Sequence, residues 1–357
     1  MFDRVVRHQV QLERHKAGLF ARIAPSLESV FDQVIAETRA DLSKIRRVQI
    51  RQGSFDSKRI RTLTSSLIRK QKELFKRGYR AAMRRAGKEL KKLAITEAEW
   101  VRQAIRASMP ISIDFATPAI GTLEALVTQK PAHGKLLAEW FSDLSDSARR
   151  RIGATTRAGI AQGHGVDKIV RAIEGKNGIP VDRRHLRSAV RTLATDISSR
   201  AKEEAYKKSN VVRAVRWVST LDARTTDICA GLDGKEFHVE KGPRPPAHHQ
   251  CRSTTTPVLK SWKALGIKAK ELKPGVRAQM PGTRGKTFAN ENYGDFLTRQ
   301  PRAFQNDVLG PQRAELFRSG KVKIDEFVDY SKFPPRSFTI SELRRRSGLP
   351  ALAKAGV

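Results

Sequence analysis

Two cysteines are all that the 357 residues contain, which argues against a disulfide-framed scaffold and suits a reducing, intracellular setting. No run of about 18 apolar residues occurs, so no membrane span is expected. The opening residues Met1-Phe2-Asp3-Arg4-Val5-Val6-Arg7-His8 lack the apolar core of a secretory signal. Acidic residues are scarce beside basic ones: 36 Asp and Glu face 70 Lys and Arg, a formal charge of +34. That excess goes far beyond what solubility needs, and it predicts a polyanionic partner, nucleic acid ahead of acidic protein surfaces. Hydrophobic residues still reach 39%, enough to give at least one of two or three domains a real core.

Helical periodicity dominates the first half. After Pro25, whose fixed φ suits a first helical turn, Leu27, Val30, Val34, Thr38, Leu42 and Ile45 recur at helical spacing. A break at Gln52–Ser57 precedes a second stripe of Ile60, Leu63, Leu67, Leu74, Tyr79, Met83, Ala86, Leu90 and Leu93. Basic residues load the rest of that surface, and Arg77, Arg80, Arg84 and Arg85 are its best candidates for phosphate contact. A short extended connector is expected over Ile111–Phe115, then a helix with Leu136, Leu137, Trp140, Phe141 and Leu144 inward. Helices continue from Ile152 to Ile173, interrupted at Gly163-His164-Gly165, and a long helix is expected from Asp182 to Lys208.

The pattern changes after Asn210. Val215, Trp217 and Ser219 alternate with Arg216 and Val218 as in a short strand, and Asp233-Gly234 predicts a hairpin turn between Leu232 and Lys235–Val239. The stretch from Lys260 to Arg284 reads as irregular, and Tyr293, Phe296, Leu297, Phe304, Val308, Leu309, Ala314, Leu316 and Phe317 predict a last helical unit, with Ser341-Glu342-Leu343 near the tail. The fold class expected is mainly α with a smaller α+β module: long N-terminal helices and a compact, turn-rich C-terminal half. Three consecutive segments follow: a basic helical region at 1–149, the motif-bearing module at 150–258, and an irregular linker with a small helical unit at 259–357.

Chemistry-bearing residues concentrate between Asp222 and Arg252. Cys229 and Cys251, with His248 and His249, are candidate ligands for a structural zinc, because tetrahedral zinc accepts mixed thiolate and imidazole donors. A Cys229–Cys251 disulfide and two cysteines that merely pack remain open beside it. A metal-dependent nuclease or processing enzyme centred on Asp222, Asp227, His248 and Cys251, with Asp233 nearby, is the alternative functional reading. A ββα-metal nuclease needs a further ligand beyond its histidine base, and no histidine follows His249. The structural reading has Asp222, Asp227, Thr225 and Thr226 capping turns and Gly234 taking positive φ.

The order Trp217, Asp222-x-Arg224-Thr225, Cys229, Leu232-Asp233-Gly234, Phe237, Pro246, His249-x-Cys251-Arg252 and Pro257 resembles the Mu F-like minor head protein family of tailed bacteriophages. The likeness spans roughly residues 150 to 258, and the tail from Tyr293 to Leu343 also resembles segments that follow this module. Many members carry a cysteine pair where this chain has Thr226 and Cys229, and Cys-Arg-Cys where it has Cys251-Arg252-Ser253, so zinc binding is not carried over intact. Leu193 stands where an acidic residue is common. The resemblance implies a non-enzymatic virion component, made in the host cytoplasm and located inside the head near the portal vertex. It implies a role in head morphogenesis and in DNA packaging or delivery, with portal protein, genomic DNA and other head or scaffold proteins as partners and no membrane.

Overall fold

The computed structural model describes residues 2–52, 58–270, 277, 279, 282–288, 290–331 and 335–350. The break expected after Gln52 lies outside the described residues, as does part of the irregular stretch before Arg284. Seven helices come first: α1 (Phe2–Ile23), α2 (Pro25–Gln52), α3 (Lys58–Arg106), α4 (Ile120–Thr128), α5 (Leu137–Ala161), α6 (Val166–Glu174) and α7 (Ile179–Lys208). Short elements follow: β1 (Val212–Val218), α8 (Asp227–Leu232), β2 (Glu236–Phe237), β3 (Thr254–Leu259), α9 (Tyr293–Thr298), α10 (Arg302–Leu309), α11 (Pro311–Arg318), β4 (Val328–Asp329), β5 (Arg336–Ser337) and α12 (Ile340–Arg346). The protein is mainly α with a small α+β part, as its hydrophobic periodicity predicts. Among the described residues, no helix is long and apolar enough to cross a membrane.

Two compact units form, each from separated stretches of chain. One comprises His15–Leu93 and Glu124–Ala194, the other Met1–Arg14, Ala94–Leu123 and Thr195–Val357. Composition divides the chain into consecutive blocks, whereas these units interleave. The long helices account for this: α3 gives Lys58–Leu93 to the first unit and Ala94–Arg106 to the second.

The first unit is all helix. Leu27, Val30, Val34, Leu42 and Ile45 of α2 are buried, as are Leu67, Phe75, Tyr79 and Leu90 of α3. Thr38 and Gln71 are buried polar residues within these stripes, and the Gln71 amide donates to Thr38 Oγ1 (2.8 Å) and to Thr156 Oγ1 of α5 (3.1 Å). Of the inward face expected at the start of α5, Phe141 is buried while Leu136 is exposed, because α5 begins only at Leu137. At Gly78 the backbone of α3 packs tightly against Val30 of α2. A Cβ there would sit 2.5 Å from Val30 Cγ2 and 2.9 Å from Val30 Cβ, and a β-branched valine in a helix has little rotamer freedom to retreat. Gly78→Ala is therefore expected to cost about 1–3 kcal/mol through overpacking, despite alanine's better helix propensity. Urea denaturation followed by circular dichroism checks this; unchanged stability would mean the helices separate without penalty.

The second unit holds an antiparallel sheet of order β2-β1-β3. Strand β1 is central, so Val215 and Trp217 are completely buried and Ala214 and Val218 nearly so, which blurs the alternation expected of a one-sided strand. The C-terminal helices share a core with the motif region: Leu221 and Ala230 pack with Tyr293, Phe296, Leu297, Leu316, Phe327 and Leu343.

Ahead of the sheet, the same unit buries a charged network. Glu97 Oε1 accepts from His8 Nε2 (2.8 Å), and its Oε2 accepts from Ser198 Oγ (2.7 Å) and faces Lys202 Nζ at 3.2 Å. Lys202 also donates to Thr254 Oγ1 (3.0 Å), and Trp100 stacks on the His8 ring at 3.9 Å. Burial raises the Glu97 pKa, but the Lys202 charge and the hydrogen bonds of His8 and Ser198 outweigh it and hold the carboxyl at about 2.

Candidate functional site

The motif is anchored by Trp217. Its indole Nε1 donates to Ser219 Oγ (2.9 Å), whose hydroxyl donates to the Cys229 carbonyl (2.7 Å), tying the end of β1 to α8. Helix α8 corrects the expected hairpin. Leu232 ends a helix rather than a strand, and Asp233-Gly234 joins that helix to β2. Thr226 caps α8, its hydroxyl accepting from Cys229 N at 3.4 Å, a local backbone competition that strand patterning ignores. Gly234 takes φ +80°, as expected of the turn, and its N–H donates to the Trp217 carbonyl (3.0 Å). Phe237 pairs opposite Val215 in the sheet.

Each of the three motif carboxylates is held by an arginine. Asp222 receives Arg252 Nη1 on Oδ2 (2.5 Å) and Arg252 Nη2 on Oδ1 (2.7 Å), and Oδ1 also accepts the Arg224 N–H (3.0 Å). Burial raises the Asp222 pKa, yet Arg252 and the Arg224 N–H prevail and bring it below the usual carboxylate value. The Arg224 side chain itself is exposed, with Nε 3.9 Å from Asp222. Thr225 Oγ1 donates to the Thr220 carbonyl (2.5 Å), and Tyr293 OH donates to the Asp222 carbonyl (2.7 Å). Asp227 accepts from Arg313 Nη1 (2.9 Å).

Asp233 is the most enclosed of the three. It accepts Arg277 Nη1 on Oδ2 (2.7 Å), Arg277 Nη2 on Oδ1 (2.9 Å) and the Ser219 N–H on Oδ1 (2.7 Å). Burial still pushes this carboxyl above its ordinary range, against the pull of Arg277. That is the signature of an ion pair whose desolvation exceeds its attraction. No sequence pattern points to Arg277, which lies in a stretch without periodicity, 44 residues from its partner.

These pairings bear on chemistry. A bidentate guanidinium takes one lone pair of each carboxylate oxygen and offsets the charge, which weakens Asp222 and Asp233 as ligands for a divalent metal or as bases toward water.

The candidate metal ligands separate. Cys229 Sγ lies 3.6 Å from Cys251 Sγ and 3.2 Å from His248 Nε2, and these three donor atoms all lie within 4.8 Å of one another. Thr226 Oγ1 is 3.0 Å from the same Nε2. His249 is exposed and stands outside this donor group, meeting it through its carbonyl, which accepts from His248 Nδ1 at 2.9 Å. Both cysteines are buried free thiols. The hydrogen bond from Cys229, with help from His248, lowers Cys251 well below the ordinary thiol range against the effect of burial; donating that bond, together with burial, raises Cys229. For His248, burial lowers the pKa and the contact with Cys251 more than restores it.

The basic candidates Arg77, Arg80, Arg84 and Arg85 are all exposed on α3 in the first unit. Arg77, Arg80 and Arg84 line one open groove of about 730 Å³ with Lys70 and Lys76, facing Glu37 and Glu73; Arg85 is not part of its lining.

Residues 150–256 match the family model described as Phage Mu protein F like protein. No curated protein and no solved structure matches the chain. The matched segment begins at the residue expected and ends two before it, and it contains every motif residue from Trp217 to Arg252. Residues 150–256 are thus similar to Phage Mu protein F.

Proposed function

We propose that the protein is a non-enzymatic minor head component of a tailed phage that sits near the portal vertex and contacts packaged DNA. The observation that carries this reading is the Mu F-like match over a motif whose carboxylates are consumed by arginines. The groove of Arg77, Arg80 and Arg84 supports the DNA contact: five cations against two carboxylates favour a polyanion, and each phosphate neutralised releases condensed counterions. Portal protein and other head or scaffold proteins are the protein partners in this reading.

DNA affinity is expected to fall steeply with salt, with a log–log slope of about −0.9 per neutralised phosphate. The Arg77→Ala, Arg80→Ala, Arg84→Ala triple variant is expected to flatten that slope by about 0.9 for each phosphate it no longer neutralises, while Arg85→Ala changes it less. Filter binding across a salt series measures both. A slope near zero in the wild type, or an unaltered slope in the triple variant, sinks the assignment. Co-purification with a portal protein from infected cells tests the protein contact separately, and absence of the portal from the bound fraction rejects it.

A further inference from the structure

We propose that Cys229, His248 and Cys251 form a binding site for one thiophilic divalent cation of the zinc class, with Thr226 supplying the fourth vertex. The donor set comes first. Two thiols and an imidazole nitrogen are the ligands that tetrahedral zinc prefers. Their mutual spacing comes second. Zinc–ligand bonds of about 2.3 Å to sulfur and about 2.0–2.1 Å to nitrogen set tetrahedral edges of about 3.8 Å between sulfurs and about 3.6 Å between sulfur and nitrogen. Two edges here are 3.6 Å and 3.2 Å, and the third, between Cys251 and His248, is within 4.8 Å, so a small relaxation of side chains makes room for an ion.

Imidazole orientation is a third, independent observation. A carbonyl can only accept, so the His249 carbonyl places a proton on His248 Nδ1 and leaves Nε2 directed at the two sulfurs. This is the support that metal-ligating histidines receive from backbone carbonyls. Thr226 Oγ1, 3.0 Å from Nε2, stands where a hydroxyl, or a water held by it, completes the shell. A disulfide would use the two sulfurs and leave the aimed imidazole without a part.

The consequence is a cross-link. Thr226 and Cys229 belong to the first turn of α8, whereas His248 and Cys251 belong to the loop entering β3. One ion would join both across the core of Trp217 and Leu232.

The experiment uses the full chain purified under reducing conditions, with metal content by elemental mass spectrometry and Co²⁺ titration of chelator-treated protein. About one zinc per chain and a thiolate-to-cobalt charge-transfer band are expected. His248→Ala is expected to weaken binding by more than about 100-fold, beyond the 10- to 100-fold that follows loss of a ligand's supporting partner. His249→Ala is expected to retain the metal. Should the ligand variants fail to fold by circular dichroism, the wild type and His249→Ala decide the matter alone. A wild type that binds no zinc and gives no cobalt band overturns the site. So does a Cys229–Cys251 disulfide in freshly isolated protein, or metal loss in His249→Ala with the fold intact.

Discussion

Asp233→Ala is expected to destabilise the motif-bearing unit by about 3–5 kcal/mol, because it strands the buried Arg277 guanidinium without a counter-charge. Arg277 exposes 2% of its side chain and Asp233 none. Besides the carboxylate, Arg277 donates to the Ser219 carbonyl (2.9 Å) and the Glu291 carbonyl (3.0 Å), so it cannot swing out to water without breaking those bonds too. The substitution also removes the acceptor of the Ser219 N–H, which adds the cost of an unsatisfied buried donor. The net worth of the intact pair is smaller than this loss, since burial already pushes Asp233 upward against Arg277. A double variant, Asp233→Ala with Arg277→Met, is therefore expected to be more stable than Asp233→Ala alone. Urea denaturation of the four proteins in the cycle measures both statements, and additive losses would show that the two residues are energetically independent.

Glu97→Gln carries the second large effect, about 3–5 kcal/mol at neutral pH, by leaving Lys202 buried beside a neutral amide. Lys202 is completely buried, and the Thr254 hydroxyl to which it also donates carries no charge to offset its own. The pH dependence has a definite sign. A folded pKa of about 2 against an ordinary 4.5 means that the folded state holds the charged carboxylate more tightly than the unfolded chain does. That stabilisation, about 3 kcal/mol for a shift of this size, is fully present above pH 4.5. It disappears as pH falls through 2. The stability gap between wild type and Glu97→Gln is therefore expected to shrink progressively as pH falls below 4.5. A gap that stays the same between pH 5 and pH 3 would assign the stability to other groups.

The parts legible in the sequence share a property: their signal is local. The buried stripe from Leu27 to Ile45 follows from the 3.6-residue period alone; of the second stripe Ile60, Leu67, Tyr79, Ala86, Leu90 and Leu93 are buried as expected, whereas Leu63, Leu74 and Met83 are half-buried and Phe75, outside the expected stripe, is fully buried. The central strand around Trp217 and the positive φ of Gly234 likewise need only nearby residues. Helix α8 is not legible in this way, because its six residues are too few for a periodicity to register. The motif order, with its Asp, Arg, Cys and His residues, is readable as a family likeness and agrees with the match at residues 150–256.

The sequence by itself determined the helical class, the positions of the long apolar stripes, the cationic character and the family likeness, because composition and short-range periodicity carry those. Only the tertiary structure decided which groups meet. It set Arg252 on Asp222, Arg313 on Asp227 and Arg277 on Asp233, so that each of these acids meets a guanidinium from a distant stretch of chain. It also brought Cys229, His248 and Cys251 together and left His249 outside, and it merged the C-terminal helices with the motif into one core. These contacts join residues 19 to more than 80 positions apart. Charge and hydrogen-bond pairing over such separations depend on how the chain folds back on itself, which no local pattern encodes.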